Sequence, residues 1–394
     1  MSGYYDDLEI RSADQREADH LSALNRQLEV ARLDGFEKPL QSLDELAMLP
    51  LLRKSDLIRM QAENLPFGGI PVNEVAHVFQ SPGPIYEPGG ISHDWWRMGR
   101  FLHALGIGKD DIIQNCFSYH LTPAGMIFEN GAQAVGARVL PAGPGQTELQ
   151  VKAASEIGVT GYAGTPDFLK IILDKAEETG RELKISKAAV GGGALFPSLR
   201  EEYADRGIVC RQCYATADIG NIAYESEAME GMIVDEGVIV EIVTPGTGIP
   251  VTPGQVGEVV VTTFNPDYPL IRFATGDLSA SIEGASPCGR TNIRIKGWMG
   301  RADQTTKIKG MFVRPEQVAS LMSRHEEIVR ARVVVTRKNE KDAMIVKVET
   351  DRGNAEQYKK SVGDLLKLNG RIEIVPVGSL PNDGLVIEDA RSYD

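Results

Sequence analysis

The chain is 394 residues long, and at about 150 residues per domain this length predicts two to three domains. Its 42% hydrophobic and 25% charged residues match ordinary globular usage and exclude wholesale disorder. The 42 basic against 55 acidic side chains leave a formal charge of -13, which argues against nucleic acid and anionic lipid as partners. Four cysteines are too few for a disulfide framework in a chain of this size. MSGYYDDLEI has neither the basic nor the apolar region of a signal peptide, and no apolar run approaches a membrane span. These features predict a cytoplasmic protein with reduced thiols.

In chain order, Leu21, Leu24, Leu28 and Ala31 recur at steps of three and four and predict a first helix that Gly35 can end. A Pro- and Gly-punctuated stretch follows, LPFGGIPVNE and then SPGPIYEPGG at 81–90. From about 92 to 200 the pattern alternates. WWRMGRFLHALGIG reads as a helix, DIIQNCFSY as a strand, GMIFENGAQAVGA as a helix and ARVLPAG as a strand. TELQVKAASEIG then reads as a helix, VTGYAGTP as a strand and turn, PDFLKIILDKAEETG as a helix and ISKAAVGGGA as a strand running into glycines. Such alternation predicts βαβ units around a mainly parallel sheet. Near 232 short β-branched runs separated by Pro-Gly turns predict antiparallel β structure. From about 304 the order strand, helix, strand, strand, helix, strand predicts a compact α+β unit. The fold class is α/β: a large domain over 1–300 with mainly parallel sheets and a β-rich part, and a small α+β domain over 304–394.

Most local motifs have bland readings. GIGKDD at 106–111 has the order helix, glycines, strand, the reverse of a dinucleotide fingerprint, so Gly106 reads as a helix cap. Cys210-Arg-Gln-Cys213 ends a strand instead of opening a helix, which suits packing better than redox chemistry. No two of the six histidines share metal-ligand spacing on one helix, and none is assigned. AVGGGALFP at 189–197 is more informative. Three glycines after a strand admit either a tight turn or the close approach of a flat ligand at the carboxyl edge of a parallel sheet. In YPLIRFATGDL the carboxylate of Asp277 follows Thr-Gly at the end of an apolar segment, where it can accept two hydrogen bonds from a vicinal diol such as ribose.

Taken together, GARVLPAGPGQTE, AGTPDFLKIIL, VGGGALFP, YATAD, GQVGEVVVTTF, YPLIRFATGDL, SPCGRT, GRADQTTKIKGMFVRPEQV and GSLPNDG resemble, in order and over most of the chain, the adenylate-forming acyl-CoA ligase superfamily and its phenylacetate–CoA ligase branch. The resemblance implies that the small domain is mobile and closes over the large one. It implies two half-reactions, adenylation of a carboxylic acid by Mg-ATP and attack of coenzyme A thiol on the acyl-AMP. By motif, Gly192, Gly193, Ala194, Tyr214, Ala215 and Thr216 would hold the adenine side of the nucleotide, and Asp277 and Arg301 the ribose, with Arg301 and Asp218 at the chemistry. Asp218 would hold Mg²⁺. Asp303 would be the hinge, and Lys307, Lys309 and Gly310 the hairpin of the thioester step. Tyr119 and Gly161 would line the acyl pocket. The family often dimerises, so a homodimer stays open.

Four departures concern adenylation. The Ser/Thr/Gly-rich, lysine-bearing phosphate loop of the family is matched by Ser81-Pro82-Gly83-Pro84-Ile85-Tyr86-Glu87-Pro88. Proline removes amide donors there, and Glu87 stands in the lysine position. A carboxylate about 4 Å from a phosphate oxygen is repulsive by a few kcal/mol at moderate effective dielectric. The magnesium-binding Glu is replaced by Asp218, one methylene shorter. The adenylation lysine after the PNDG turn is replaced by Leu385. Cys288 of the SPCGRT segment has no Cys or His in IAYESEAMEGMIV to join it, so no zinc is expected. Two readings follow: an AMP-forming carboxylate–CoA ligase for an aryl or other hydrophobic acid, or a catalytically weakened or non-catalytic paralogue that binds nucleotide or acyl-adenylate.

Overall fold

The computed structural model describes residues 3–33, 38–82, 84–193, 195–304, 306–308, 311–338, 341–381 and 385–391. The chain divides into two compact units. The larger comprises Met1–Gln255, Val260–Thr275 and Ala280–Gly297, and the smaller Val256–Val259, Gly276–Ser279 and Trp298–Asp394.

In order, the larger unit opens with α1 (Ala13–Ala31), β1 (Leu52–Arg53), α2 (Lys54–Glu63), β2 (His77–Ser81), β3 (Ile85–Gly89), α3 (Gly99–Ala104), β4 (Ile112–Asn115), α4 (Ala124–Ala134), β5 (Arg138–Pro141) and α5 (Thr147–Ile157). β6 (Gly161–Gly164), α6 (Pro166–Glu178), β7 (Lys187–Val190), α7 (Pro197–Asp205), β8 (Val209–Thr216), β9 (Gly220–Glu225), β10 (Met232–Val234) and β11 (Val238–Val243) follow. β12 (Gly257–Thr263) and β13 (Phe273–Ser279) are each divided between the units, and β14 (Ser281–Ile282) and β15 (Arg294–Ile295) return to the larger.

Among the described residues, the main sheet has the strand order β14-β15-β10-β9-β8-β7-β6-β4-β5. β5, β4, β6, β7 and β8 run parallel, each joined to the next in sequence by one of the helices α4 to α7. At β8 the sheet changes character, and β9, β10, β15 and β14 pair antiparallel. The parallel strands are short and made of small or branched residues. Tyr162, Ala188 and Val190 pack with Leu169, Ile185 and Tyr203 from the covering helices and the segments beside them. Helix starts follow local chemistry. α6 and α7 each open with proline in the first turn behind an extended residue, where a missing N–H costs nothing. α5 stops at Gly158, whose φ of 69° only glycine adopts without strain.

Several segments differ from the sequence expectation. α1 ends at Ala31 with Arg32 in the left-handed region at φ 52°, and Gly35 lies outside the described residues. The helix expected from Trp95 begins only at Gly99. Arg97 sits at φ 61°, the Asp94 carboxylate accepts from the Gly99 amide at 2.8 Å, and both tryptophans are buried in the preceding turn. The strand DIIQNCFSY narrows to β4, so His120 is exposed in a loop. The CxxC lies inside β8 instead of ending it. Burial pushes the Cys210 and Cys213 thiols up to about 12, which makes them inert packing groups.

The smaller unit contains a hairpin, β16 (Thr306–Ile308) with β17 (Met311–Val313), then α8 (Pro315–Arg324), β18 (Arg330–Lys338), β19 (Lys341–Glu349), α9 (Ala355–Leu366), β20 (Arg371–Val375) and β21 (Ile387–Asp389). Its sheet order is β20-β19-β18-β21, with an antiparallel centre and a parallel partner on each side. Val333, Val335, Val346 and Val348 alternate inward and meet Val318, Leu321, Tyr358 and Val362 of α8 and α9. Among the described residues, no helix of the chain is long and apolar enough to cross a membrane.

Candidate active site

Five parallel strands bring their carboxyl ends to one edge of the main sheet. Asn115, Gly164, Val190 and Thr216 end β4, β6, β7 and β8 there, so the segments that follow them gather along that edge. This is where ligands enter open α/β sheets. Gly192 turns at φ 67°, and a Cβ on Gly191 would come within 3.0 Å of the Cys213 sulfur. The glycine turn therefore packs tightly on β8, and the side-chain amide of Gln212 donates to the Gly193 carbonyl at 2.9 Å. Ala194 lies outside the described residues.

Tyr214 is buried at the end of β8, and its hydroxyl donates to the Thr275 hydroxyl at 3.1 Å. The ladder to β9 shifts register between Tyr214 and Ala215. Thr216 then closes the turn by accepting from the Ile219 amide at 3.2 Å. A Cβ on Gly220, at φ 86°, would lie 2.6 Å from the Trp96 carbonyl, so this tight turn packs on Trp96 and directs Asp218 inward.

Asp218 does not stand as a free carboxylate. Its side chain is fully buried, and Oδ2 accepts from the ammonium of Lys54 at 3.0 Å. Lys54 is the first residue of α2, where the helix dipole disfavours a cation, so its placement answers to Asp218 and not to the helix. Glu87 on β3 is also fully buried, and among the described residues neither of its oxygens has a hydrogen-bond partner. Burial, and next to it repulsion from Asp218, push its carboxyl up to about 7, with Ser81 and Lys54 pulling the other way. Tyr268 completes the group. Its hydroxyl is buried and without a partner among the described residues, and burial, followed by Asp218 and Glu87, raises its phenol far above the ordinary range. Glu87 thus differs from the expectation of a full negative charge offered to phosphate. It is an inward-facing side chain of the β2–β3 hairpin, and near neutrality it is partly protonated.

Asp218 Oδ2 pairs with the Lys54 ammonium, while Oδ1 is buried and without a hydrogen-bond partner among the described residues, so one carboxylate oxygen is left that could join nucleotide phosphates on Mg²⁺. Among the described residues no group of three or more His, Cys, Asp or Glu side chains could hold a metal ion. Lys54 was invisible to sequence reasoning because its partner is 164 residues away. The one local hint was a lysine at the start of a helix.

Tyr119 follows β4, and its hydroxyl is committed to the protein. It donates to Glu129 of α4 at 2.8 Å and accepts from the Asn115 amide at 2.8 Å. Gly161 does not join the edge. It opens β6 at the far, amino end, packed against Ile113, while Gly164 and Thr165 occupy the edge. In the smaller unit, Asp277 Oδ1 accepts from Arg301 at 3.2 Å and from the Trp298 indole at 3.1 Å. Asp303 lies in the short 3-10 turn Ala302–Gln304 and Lys307 in β16, but their side chains, like Lys309 and Gly310, lie outside the described residues. Leu385 is exposed.

No protein-family model matches the chain. Individual proteins do. A phenylacetate-coenzyme A ligase of Thermus thermophilus is 28% identical over 345 residues, 83% of this chain and 76% of that protein. One from Escherichia coli is 26% identical over 372 residues, 86% of this chain and 84% of that protein. The fold is shared with a crystal structure of 2-hydroxyisobutyryl-CoA ligase in the postadenylation state in complex with 2-HIB-AMP. The TM-score is 0.82 at 22% identity, covering 98% of this chain and 92% of that chain. Over most of its length the chain is thus similar in sequence to phenylacetate-coenzyme A ligases, and it shares its fold with 2-hydroxyisobutyryl-CoA ligase.

Proposed function

We propose that the protein is an AMP-forming carboxylate–CoA ligase of the phenylacetate–CoA ligase type, acting on an aryl or other hydrophobic acid. The observation that carries this reading is the packing of the Gly191–Gly193 turn on β8, at Gln212 and Cys213 next to Tyr214, at the carboxyl edge of the parallel strands. In the first half-reaction the acid's carboxylate oxygen attacks the α-phosphorus of ATP and pyrophosphate leaves with the electron pair of the broken P–O bond. In the second, the sulfur of coenzyme A attacks the acyl carbonyl and AMP leaves. Gly192 and Gly193 let adenine approach the backbone, and Tyr214, held by Thr275, offers it a fixed ring face. Ala215 and Thr216 continue that wall. Asp277, oriented by Trp298, and Arg301 take the ribose hydroxyls. The smaller unit moves about Asp303 between the halves, and its β16–β17 hairpin serves the thioester step. Tyr119, anchored by Glu129, lines the acyl pocket.

One observation favours a second reading, a protein that binds acyl-adenylate without making it. Leu385 stands where adenylation needs a cation and offers only hydrocarbon. Pyrophosphate release from ATP over a panel of aryl acids separates the two. Release with one acid supports the ligase. Nucleotide binding without release from any acid supports the binding protein.

A further inference from the structure

The glycine turn after β7 is tied to β8 by side chains as well as by packing. β8 pairs with parallel β7 as far as Gln212, opposite Val190, and with antiparallel β9 from Cys213 onward, opposite Tyr224. Gln212 therefore stands where the sheet passes from parallel to antiparallel pairing. One residue past the β9 partner Tyr224, a side chain continues the ladder: Glu225 Oε2 accepts from the Gln212 backbone N–H at 2.7 Å. Glu225 Oε1 accepts from Arg200 at 2.7 Å, and Arg200 also donates to the Cys210 carbonyl at 3.0 Å. Arg200 lies in the first turn of α7, and the Gln212 side-chain amide reaches back to the Gly193 carbonyl at 2.9 Å. The segment between β7 and α7 is thus fastened to β8 on both sides, at Gly193 through Gln212 and at Cys210 through Arg200. Beneath it, a Cβ on Gly191 would lie 3.0 Å from the Cys213 sulfur, so the turn covers a buried thiol. The Arg200 and Glu225 side chains are 28% and 13% exposed, so replacing Arg200 opens no cavity in the core.

We infer that Arg200 and Glu225 are positioning residues of the proposed nucleotide site: their ion pair fixes Gln212, and Gln212 holds the glycine turn down on β8 in the form that receives adenine. The identity of the ligand rests on the adenylate reading. The hold on the turn does not, and it is measured without nucleotide.

In a Cys288→Ser background the full chain is treated with an aromatic disulfide reagent, and modified thiols are located by peptide mass spectrometry. AMP affinity is measured on the same proteins by calorimetry. Cys213 is expected to stay unmodified in the parent and to react in Arg200→Met and in Gln212→Met, which keep the stem and remove the donors. Cys116 and Cys210 are expected to stay protected in both. Arg200→Lys keeps a cation for Glu225 and is expected to protect Cys213 as the parent does. AMP affinity is expected to fall about fivefold in each Met variant, the worth of one neutral hydrogen bond. It should fall no further in Arg200→Met/Gln212→Met, because both residues act on one contact. Should Arg200→Met fail to fold, Gln212→Met with Glu225→Leu decides by the same readouts. A Cys213 that stays protected in the Met variants overturns the inference. So does reaction of all three buried thiols together, which marks general loosening, or a double variant whose loss in affinity is the product of the two single losses. Selective exposure of Cys213 with AMP affinity unchanged, or in a parent that binds no AMP, upholds the hold on the turn and counts against the adenylate reading.

Discussion

Arg301 reaches the Asp277 carboxylate at 3.2 Å over Gly276, where a Cβ would lie 2.8 Å from Arg301 Nη2. The glycine also turns at φ 75°, so side chains other than hydrogen are strained there. A backbone bridge between residues 277 and 301 and the Trp298 indole fix the same carboxylate. Asp277 is thereby oriented before a ligand arrives.

This arrangement makes the ribose reading testable. Asp277→Asn keeps the shape and removes the charge. Losing a hydrogen bond to a charged group costs roughly 1.5–3 kcal/mol. AMP affinity, measured by calorimetry, is expected to fall at least tenfold in Asp277→Asn and also in Gly276→Ala, which displaces Arg301. An unchanged affinity in both would remove Asp277 and Arg301 from the nucleotide site.

Glu87 sets a pH dependence of stability. Its carboxyl is raised from 4.5 to about 7 in the folded chain, so the fold favours the protonated form. The unfolded chain binds fewer protons there between those values, and stability from this group, fully present below pH 4.5, declines as pH rises through 7. Each tenfold change in proton affinity corresponds to about 1.4 kcal/mol, so the loss is at most about 3 kcal/mol. Glu87→Gln is therefore expected to equal the wild type in urea midpoint near pH 4 and to exceed it at pH 8. Parallel stability curves for the two proteins would contradict this.

On the proposed reading, Leu385 places the cost of divergence in one half-reaction. In the mechanism proposed above, adenylation needs a cation at the α-phosphate, whereas attack by coenzyme A on a preformed acyl-AMP does not. Thioester formation from synthetic acyl-AMP is expected to outpace ATP–pyrophosphate exchange on the same preparation. Leu385 is exposed, so Leu385→Lys should fold normally, and it is expected to raise the exchange rate at least tenfold with little change in thioester formation. Equal acceleration of both steps, or of neither, would count against this role for the position.

The four thiols should differ in reactivity. Burial pushes Cys116, Cys210 and Cys213 up to about 12. Burial acts on Cys288 in the same direction, but Ser226, Ser286 and Arg290 together pull it below the ordinary thiol value, and it is only half-buried. An aromatic disulfide reagent should modify one thiol in the native protein, and Cys288→Ser should abolish that reaction. Rapid modification of more than one thiol without unfolding would show that the sheet is looser than described.

What was legible in the sequence was what short-range patterning encodes. The alternation of GMIFENGAQAVGA, ARVLPAG and TELQVKAASEIG predicts βαβ units because each buries one apolar face, and α4, β5 and α5 follow. Asp277 could be singled out because Thr-Gly before it signals a turn. Contacts made across the chain left no local trace. Lys54 meets Asp218 across 164 residues, and only the folded hairpin turns Glu87 inward, opposite Phe79. The helix expected at Trp95 was lost because Arg97 turns at φ 61° to bring both tryptophans inside. Gly161 was placed one strand length too far because β6 is only four residues long and its glycines stand at opposite ends.

The most direct test of the proposed activity is product analysis by mass spectrometry after incubating the protein with ATP, coenzyme A and a panel of aryl acids. The mechanism predicts that at least one acid yields its acyl-CoA with an equal amount of AMP and no ADP. Formation of ADP in place of AMP, or no acyl-CoA from any acid by a preparation that binds nucleotide, would contradict it.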